Sequence, residues 1–240
     1  MKEIGKIGDL YQAATKYYRE PGGGKAGAGA EPRVGREIPL PVVELPPHGA
    51  QGGMPLWEAL ATRKTRRTYR TGHMTLGELS QLLWAGDGKS REGRGMFFRT
   101  APSAGALYPV ELYVMANRVD RLQKGVYRYD AGGNRLAMVG EGDRAEDAAE
   151  AALGQHMLLK AAAVVFMTAV VERSRQKYGQ RAYRYIYLDA GHIGQNLCLA
   201  AHAMGFGACP IGAFYDDEMN AIIGVDGTDE TVIYAVTIGK

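Results

Sequence analysis

Apolar residues recur along this chain at two spacings, which predict a mixture of helices and strands. Helical spacing indicates a short amphipathic helix within residues 1–20, a helix that starts at Pro55, and one that opens with the capping box Thr75 to Glu78. Shorter helices are expected over 143–153 and 216–222. Runs of β-branched and aromatic residues predict strands at 110–115, 161–171 and 231–238, and a hairpin of strands 126–129 and 136–139.

The longest predicted helix covers about residues 181–204 and stops at Gly205, so at ~1.5 Å per residue it is ~36 Å long. It is apolar on most sides, which favours burial at the centre of the protein or in a subunit interface. We interpret the polar residues 172–181 as the link between the buried strand and this helix. The helix carries one narrow polar stripe, formed by Tyr185, Asp189, His192 and Asn196.

The amino-terminal part differs in composition from the rest. Residues 21–53 are rich first in glycine and then in proline, which is typical of a flexible and then extended tether. We therefore divide the chain into an amino-terminal helix and arm, 1–54, and a globular domain, 55–240. Such an arm could reach a second subunit, or it could be a disordered leader followed by a surface strap, and both interpretations stay open.

Length and charge limit the classes of function. A chain of 240 residues with 46% hydrophobic content can bury one core, and a net charge of +3 gives no bulk attraction to nucleic acid. No apolar run has the length of a membrane span or the form of a signal peptide. Two cysteines make no secreted disulfide framework, so we expect a cytoplasmic protein, and the histidines lack metal-ligand spacing.

Two stretches carry candidate binding chemistry. Residues 63–70 contain five positive charges, which an anion such as a phosphate would neutralise; a solvated helix end is the alternative. Residues 102–109 begin and end with proline and hold small residues between, so the backbone is stiff and nearly bare of side chains. A flat ligand could lie against this loop, but a strand-entry loop against which a neighbour packs would have the same composition.

Seven segments between residues 55 and 240 resemble the nitroreductase superfamily of flavoproteins. Within it they are most similar to the SagB/ThcOx-type dehydrogenases, the branch that contains azoline oxidases of peptide natural-product pathways. The most specific segment is 101–109, Ala-Pro-Ser-Ala-Gly-Ala-Leu-Tyr-Pro. The others are 63–69, 79–86, 125–130, 177–185, 189–196 and 207–214, and the specific segment continues to residue 113.

The resemblance implies an α+β fold of nitroreductase type, in which helices sandwich a central, mostly antiparallel sheet and the long helix is buried. It also implies a homodimer with flavin mononucleotide (FMN) in each of two sites built from both chains. Arg63, Lys64, Thr65 and Arg67 would hold the FMN phosphate and ring edge, with Lys240 also near the phosphate. Pro102, Ser103, Ala104 and Gly105 would lie along the isoalloxazine, and Pro210, Ile211 and Gly212 would cover its other side.

This sequence departs from the family pattern at three positions. Lys64 and Thr65 stand where the family usually has Arg and Ser, and Ala106 stands where many nitroreductases have Asn. A phosphate contact tolerates these changes better than a hydrogen bond to the ring edge does.

A Lys-Tyr pair is the catalytic base of azoline oxidases, and Lys177 and Tyr178 match it by position. Aromatising an azoline removes a proton from carbon while a hydride leaves to the flavin N5, so a base beside the ring is required. A free lysine has a pKa of about 10.4 and would need desolvation or neighbouring cations such as Arg175 or Arg181. The alternative is a surface lysine beside a packing tyrosine.

We therefore predict an FMN-dependent oxidoreductase that dehydrogenates an azoline (thiazoline or oxazoline) or a related substrate. The substrate would be a small molecule or a modified peptide, and a cyclodehydratase complex is a conceivable partner. Neither nucleic acid nor a membrane is expected. One alternative is an NAD(P)H-dependent nitro or quinone reductase, and another is a flavin-binding scaffold subunit of a peptide-modification complex.

Overall fold

A computed structural model describes residues 6–19, 41–93 and 96–240, with the side chain of Met96 left out. The predicted tether therefore lies outside the described residues as far as residue 40. The helices are α1 (Ile7–Ala14), α2 (Leu56–Thr62), α3 (Leu76–Asp87), α4 (Ala145–Ala151), α5 (Met157–Lys160), α6 (Val171–Tyr178), α7 (Ala182–Ala203) and α8 (Asp216–Ile223). The strands are β1 (Val42–Glu44), β2 (Lys89–Gly93), β3 (Met96–Arg99), β4 (Val110–Ala116), β5 (Gly125–Asp130), β6 (Arg135–Glu141), β7 (Ala163–Val170), β8 (Gly207–Ile211) and β9 (Glu230–Gly239).

Seven of these strands form one sheet in the order β1-β6-β5-β4-β7-β9-β8, and every paired neighbour is antiparallel. β2 and β3 form a separate hairpin. Residues 42–44, within the predicted arm, pair with β6 at one edge of the sheet, and β8 forms the other edge. The mostly antiparallel sheet that the resemblance implies is confirmed.

Helices cover both faces of the sheet, as the burial of its central strands requires. Every residue of β4 is buried, with Leu112 and Val114 in the hydrophobic core on the side of α3 and α7. Tyr113 and Met115 alternate with them and pack in the second core, beside α4, α5 and α8. A strand that is buried on both faces has no polar face, so its apolar residues run continuously.

The long helix is confirmed as α7, which buries Ile186, Ala190, Ile193 and Leu197 along the side that faces the sheet. It leaves Leu188, His192 and Gln195 exposed on the other side. No helix in the described part of the chain has both the length and the apolar character that a membrane span needs.

The polar residues 172–181 are not a plain link between strand and helix. They form most of α6, followed by a turn of 3-10 helix at Gly179–Arg181 that leads into α7. The sequence pattern failed here because α6 has no apolar stripe. Its polar residues are held by an ion pair of Arg175 with Glu172 and by contacts of Arg173 with distant parts of the chain.

Candidate functional site

The basic residues 63–70 lie along the edge strand β8. Thr65 pairs in parallel with Ala208, and the Arg66 backbone N–H donates to the Ala208 carbonyl at 3.0 Å. Because alternate side chains of an extended segment project to opposite sides, Arg66 and Arg67 face different surroundings. A Cβ built on Gly207 would meet the Arg66 side chain, whereas the Arg67 guanidinium lies beside the Cys209 thiol. Burial raises the pKa of that thiol, and Arg67 opposes the shift.

The cations of this segment lack acidic partners in the part of the chain that the structure describes. No carboxylate there lies within 4.0 Å of the charged nitrogens of Arg63, Lys64, Arg66, Arg67 or Arg70. All but Arg63 are exposed. Like charges this close repel one another, so an anion bound between them would relieve the repulsion.

A cleft of about 650 Å³ opens beside this segment. Three cationic side chains line it, those of Arg66, Arg70 and Lys240, together with the Thr68 hydroxyl. The Lys240 ammonium is 3.1 Å from Glu78 Oε1, in the capping box of α3. Arg66 and Arg70 are not among the predicted site residues, and their place in the cleft follows from the alternation of side chains along the extended segment.

The carboxyl end of β8 holds Pro210 and Ile211, and Gly212 follows it. The residue before Pro210 is Cys209, whose thiol lies beside Arg67. Ile211 is buried and pairs with Ala235 of β9, whereas Gly212 is exposed. Together with four residues of the basic segment and with Lys240, residues 210–212 form what we call the edge group: Arg63, Lys64, Thr65, Arg67, Pro210, Ile211, Gly212 and Lys240. The eight share the edge of the sheet that β8 forms.

The small-residue loop before β4 has an unusual backbone. Gly105, Ala106 and Tyr108 have φ values of +65°, +54° and +47°. For the two residues that are not glycine, this conformation costs about 1–2 kcal/mol each. Backbone strain of this kind persists only where the surroundings hold it, and it is concentrated at functional sites.

Specific hydrogen bonds hold this loop. The Ser103 hydroxyl donates to Asp189 Oδ2 at 2.7 Å and accepts from the Tyr108 N–H at 2.9 Å. The Ala104 N–H donates to Asp189 Oδ1 at 3.4 Å. At the far end of the loop, Arg173 of α6 donates to the Tyr108 carbonyl at 3.0 Å and pairs with the buried Glu111 of β4.

The loop and the Lys-Tyr pair lie together, although Gly105 and Lys177 are 72 positions apart in sequence. Lys177 and Tyr178 are the last two residues of α6, which ends because Gly179 takes φ +55° and ψ −140°. A Cβ added to Gly105 would be 2.6 Å from Tyr178 Oη and 2.8 Å from Lys177 Nζ. Only a glycine leaves room for both groups here. We call Pro102, Ser103, Ala104, Gly105, Lys177 and Tyr178 the loop group.

The two arginines that the sequence analysis offered as neighbours of Lys177 have other partners. Arg175 pairs with Glu172 at 2.8 Å and with Asp9 at 3.5 Å. Arg181 Nε donates to Tyr185 Oη at 2.9 Å, and the Tyr185 ring meets the Tyr178 ring edge-on with centroids 4.8 Å apart. Lys177 itself is exposed, with its ammonium 5.4 Å from the centre of the Tyr178 ring.

The edge group and the loop group lie apart within one chain. Ile211 pairs with Ala235, Ala235 with Phe166, and Phe166 with Tyr113 of the strand that the loop enters. Three strand spacings of ~4.8 Å separate the strands by ~14 Å. No hydrogen bond or ion pair among the described residues joins the two groups directly.

Residues 60–240 match the model of the nitroreductase family, and the chain belongs to this family of flavin oxidoreductases. A protein of Methanocaldococcus jannaschii described as a nitroreductase is 36% identical over 189 residues, which are 79% of this chain and 90% of that protein. The crystal structure of a nitroreductase from Ralstonia eutropha is similar with a TM-score of 0.73 at 27% identity, over 89% of this chain and 95% of the other.

A chain of the E. coli microcin synthetase McbBCD complex, solved with truncated pro-MccB17 bound, also has this fold. The TM-score is 0.62 at 18% identity, and the match covers 96% of this chain and 80% of that one. At this identity the likeness concerns the fold alone.

Proposed function

We propose that this protein is an FMN-dependent dehydrogenase that oxidises an azoline ring or a related heterocycle, as a homodimer. The observation that carries the proposal is the seating of Lys177 and Tyr178 against Gly105. A proton acceptor and a bare stretch of backbone are thereby placed side by side. Removing a proton from carbon beside a flat cofactor needs both.

The edge group fits the phosphate end of FMN. Apart from Lys240, which pairs with Glu78, its cations have no carboxylate partner among the described residues, and most are exposed at the margin of the sheet, where an anion can reach them. Arg63 and Arg67 would bind the phosphate, with Lys240 added once it leaves Glu78. Charge-assisted contacts of this kind are about twice as strong as neutral ones. Bound FMN would supply the acceptor for two electrons.

The loop group fits the ring end of FMN. The loop presents backbone and small side chains, so a flat ring can approach closely. Lys177 and Tyr178 stand over that surface with one amine and one hydroxyl, either of which can accept a proton from a substrate carbon when deprotonated. The edge-on contact with Tyr185 limits the rotation of the Tyr178 ring.

Pro210, Ile211 and Gly212 of the edge group would cover one face of the ring and the loop group the other, so their separation of ~14 Å within one chain supports a site shared by two chains. One FMN would then contact the edge group of one chain and the loop group of the other, so that a symmetric dimer holds two equal sites. The proposal of a peptide substrate rests on the sequence resemblance to azoline oxidases of peptide natural-product pathways.

The base is tested by Lys177→Ala and Tyr178→Phe, assayed with an azoline peptide. We expect both to retain FMN and to lose dehydrogenation by a factor of about 10² to 10⁴, as is typical when a general base is removed. Reduction by dithionite should continue in both, because it needs no proton acceptor for carbon. Wild-type rates in both variants would refute the assignment of the base. Fast NADPH-driven quinone reduction by a wild type that oxidises no azoline would favour the reductase function instead.

The shared site is tested by complementation. Arg67→Ala and Lys177→Ala chains, each with its own tag, are co-expressed, and the mixed dimer is purified through both tags. If each site combines two chains, one of its two sites carries both substitutions and the other carries none, so about half of the wild-type rate returns. If each site lies within one chain, one site lacks Arg67 and the other lacks Lys177, so little activity returns at an FMN concentration that saturates the wild type but not Arg67→Ala. Wild-type homodimers with the same two tags give the reference rate.

A further inference from the structure

We propose that Asp189 is a positioning residue, whose carboxylate fixes the backbone of residues 102–108 so that Gly105 seats under Lys177 and Tyr178. The catalytic consequence rests on the proposed function, whereas the fixing of the loop does not. Asp189 belongs to the polar stripe of α7, which has no role predicted from the sequence.

The carboxylate is buried and faces the loop. Asp189 is only 6% exposed, and its two oxygens accept separate hydrogen bonds from the Ser103 hydroxyl and the Ala104 N–H. No arginine or lysine in the described residues pairs with it. Burial raises the pKa of this carboxyl group, while the bonds from the loop and the charge of nearby His192 oppose the shift. A buried carboxylate without a cationic partner is costly, and these hydrogen bonds are its main compensation.

The contact extends beyond Ser103. Because the Ser103 hydroxyl also accepts from the Tyr108 N–H, the carboxylate is linked to both ends of the strained turn. The turn holds Ala106 and Tyr108 at positive φ, a conformation that free residues of these types rarely adopt. Without the anchor, the loop is expected to relax toward negative φ and to carry Gly105 with it.

Relaxation of the loop would affect the Lys-Tyr pair directly. Gly105 lies within contact distance of both side chains, and Tyr185, one turn before Asp189 on α7, meets the Tyr178 ring. Asp189 has no hydrogen bond or ion pair with Lys177 or Tyr178 among the described residues, so it would act through the loop. A displacement of ~1 Å in a reacting group can cost a factor of about 10² in rate.

The test uses Ser103→Ala, Asp189→Ala and the double variant, with Asn196→Ala as the control. Asn196 lies two turns further along α7 and bonds the Gly86 carbonyl, away from the loop. Alanine removes both acceptor oxygens of Asp189, whereas an asparagine could still accept from the Ala104 N–H and donate to the Ser103 hydroxyl. Hydrogen exchange in a peptide that covers residues 100–110 is measured without FMN, and kcat and KM are measured with FMN and an azoline peptide.

We expect the loop peptide to exchange at least ~10-fold faster in both single variants and at the wild-type rate in Asn196→Ala. The kcat should fall by a factor of ~10–100 with KM changed less than ~3-fold, because positioning and not binding is lost. The double variant should be no worse than the more impaired single variant, since both changes break one contact.

Three results would overturn the proposal: unchanged exchange of the loop in Asp189→Ala, a kcat that falls equally in Asn196→Ala, or additive losses in the double variant. A wild type that oxidises no azoline would refute the proposed function instead. The exchange measurement would then still decide whether Asp189 fixes the loop.

Discussion

The fit of Gly105 under the Lys-Tyr pair allows a sharp prediction for Gly105→Ala. Gly105 has φ +65° and ψ +15°, which is the left-handed region. An alanine there costs about 1–2 kcal/mol of the free energy of folding. The new methyl group would also lie 2.6 Å from Tyr178 Oη, and ordinary contact begins at 3.4 Å. The tyrosine hydroxyl must therefore move by 3.4 − 2.6 = 0.8 Å, and Lys177 Nζ by 3.4 − 2.8 = 0.6 Å.

A displacement of that size should lower the rate of azoline dehydrogenation by a factor of about 10² while leaving the edge group intact. We therefore expect Gly105→Ala to bind FMN with an affinity within a few-fold of wild type and to be reduced normally by dithionite. The assay compares kcat for the azoline peptide with the free energy of unfolding from urea denaturation. The kcat reports the effect of the new methyl group on Lys177 and Tyr178, whereas the free energy of unfolding reports the cost of the backbone strain.

Gly224→Ala provides the matched control. Gly224 ends α8 in the same region, with φ +85° and ψ +29°, but a Cβ there has nothing within 4 Å. It should lose a similar 1–2 kcal/mol and keep its full rate. Equal rates in the two variants would refute the reasoning, because the contact with Lys177 and Tyr178 would then have no consequence.

Three other predictions concern the edge group and its surroundings. Arg67→Ala should weaken FMN binding by about 1.5–3 kcal/mol, or ~10- to 150-fold, in a fluorescence titration. An unchanged affinity would remove Arg67 from the site. The control is Arg91→Ala, which replaces an exposed arginine outside the edge group. Burial raises the pKa of Glu78, but hydrogen bonds from Thr75 and the pairing with Lys240 outweigh it and keep the carboxylate charged. Glu78→Gln keeps the capping box and should strengthen FMN binding by freeing Lys240, and weaker binding would contradict this competition. Trp57→Glu should shift the mass measured by light scattering at micromolar concentration from dimer to monomer. Trp57 is 80% exposed on α2, and a charge there opposes its burial against a second chain. A dimer of unchanged stability would exclude α2 from the interface.

The elements that the sequence predicted well are those whose own residues decide their structure. The strands β4 and β7 are continuously apolar because both faces are buried, and α7 has a long apolar pattern that ends at a glycine. The α6 helix was missed because its residues are polar, and distant residues such as Glu111 hold it. The edge strand β8 was missed because it is short and contains Pro210.

For the site, sequence reasoning found candidate residues but not their grouping. The basic segment and the small-residue loop each have a composition that indicates binding. Nothing local to Gly105 or Tyr178 predicts that they touch, since the contact depends on how α6 leaves β7 and on Arg173 reaching back to the loop. The link from Asp189 to Ser103 joins residues 86 positions apart and was likewise hidden.

Exposed apolar side chains lie near both the edge group and the loop group, and they indicate where a second chain could pack. Leu56, Trp57 and Leu60 are 57%, 80% and 47% exposed on α2, the helix that leads directly into the basic segment. Leu188 is 55% exposed on the outer side of α7, one residue before Asp189, which anchors the loop. Apolar surface is thus left uncovered beside the edge group and also beside the loop group. A second chain that covered these two apolar surfaces would place its own loop group near the edge group of the first chain, and its edge group near the loop group. The apolar surfaces that favour association therefore lie beside the residues that a shared site would combine.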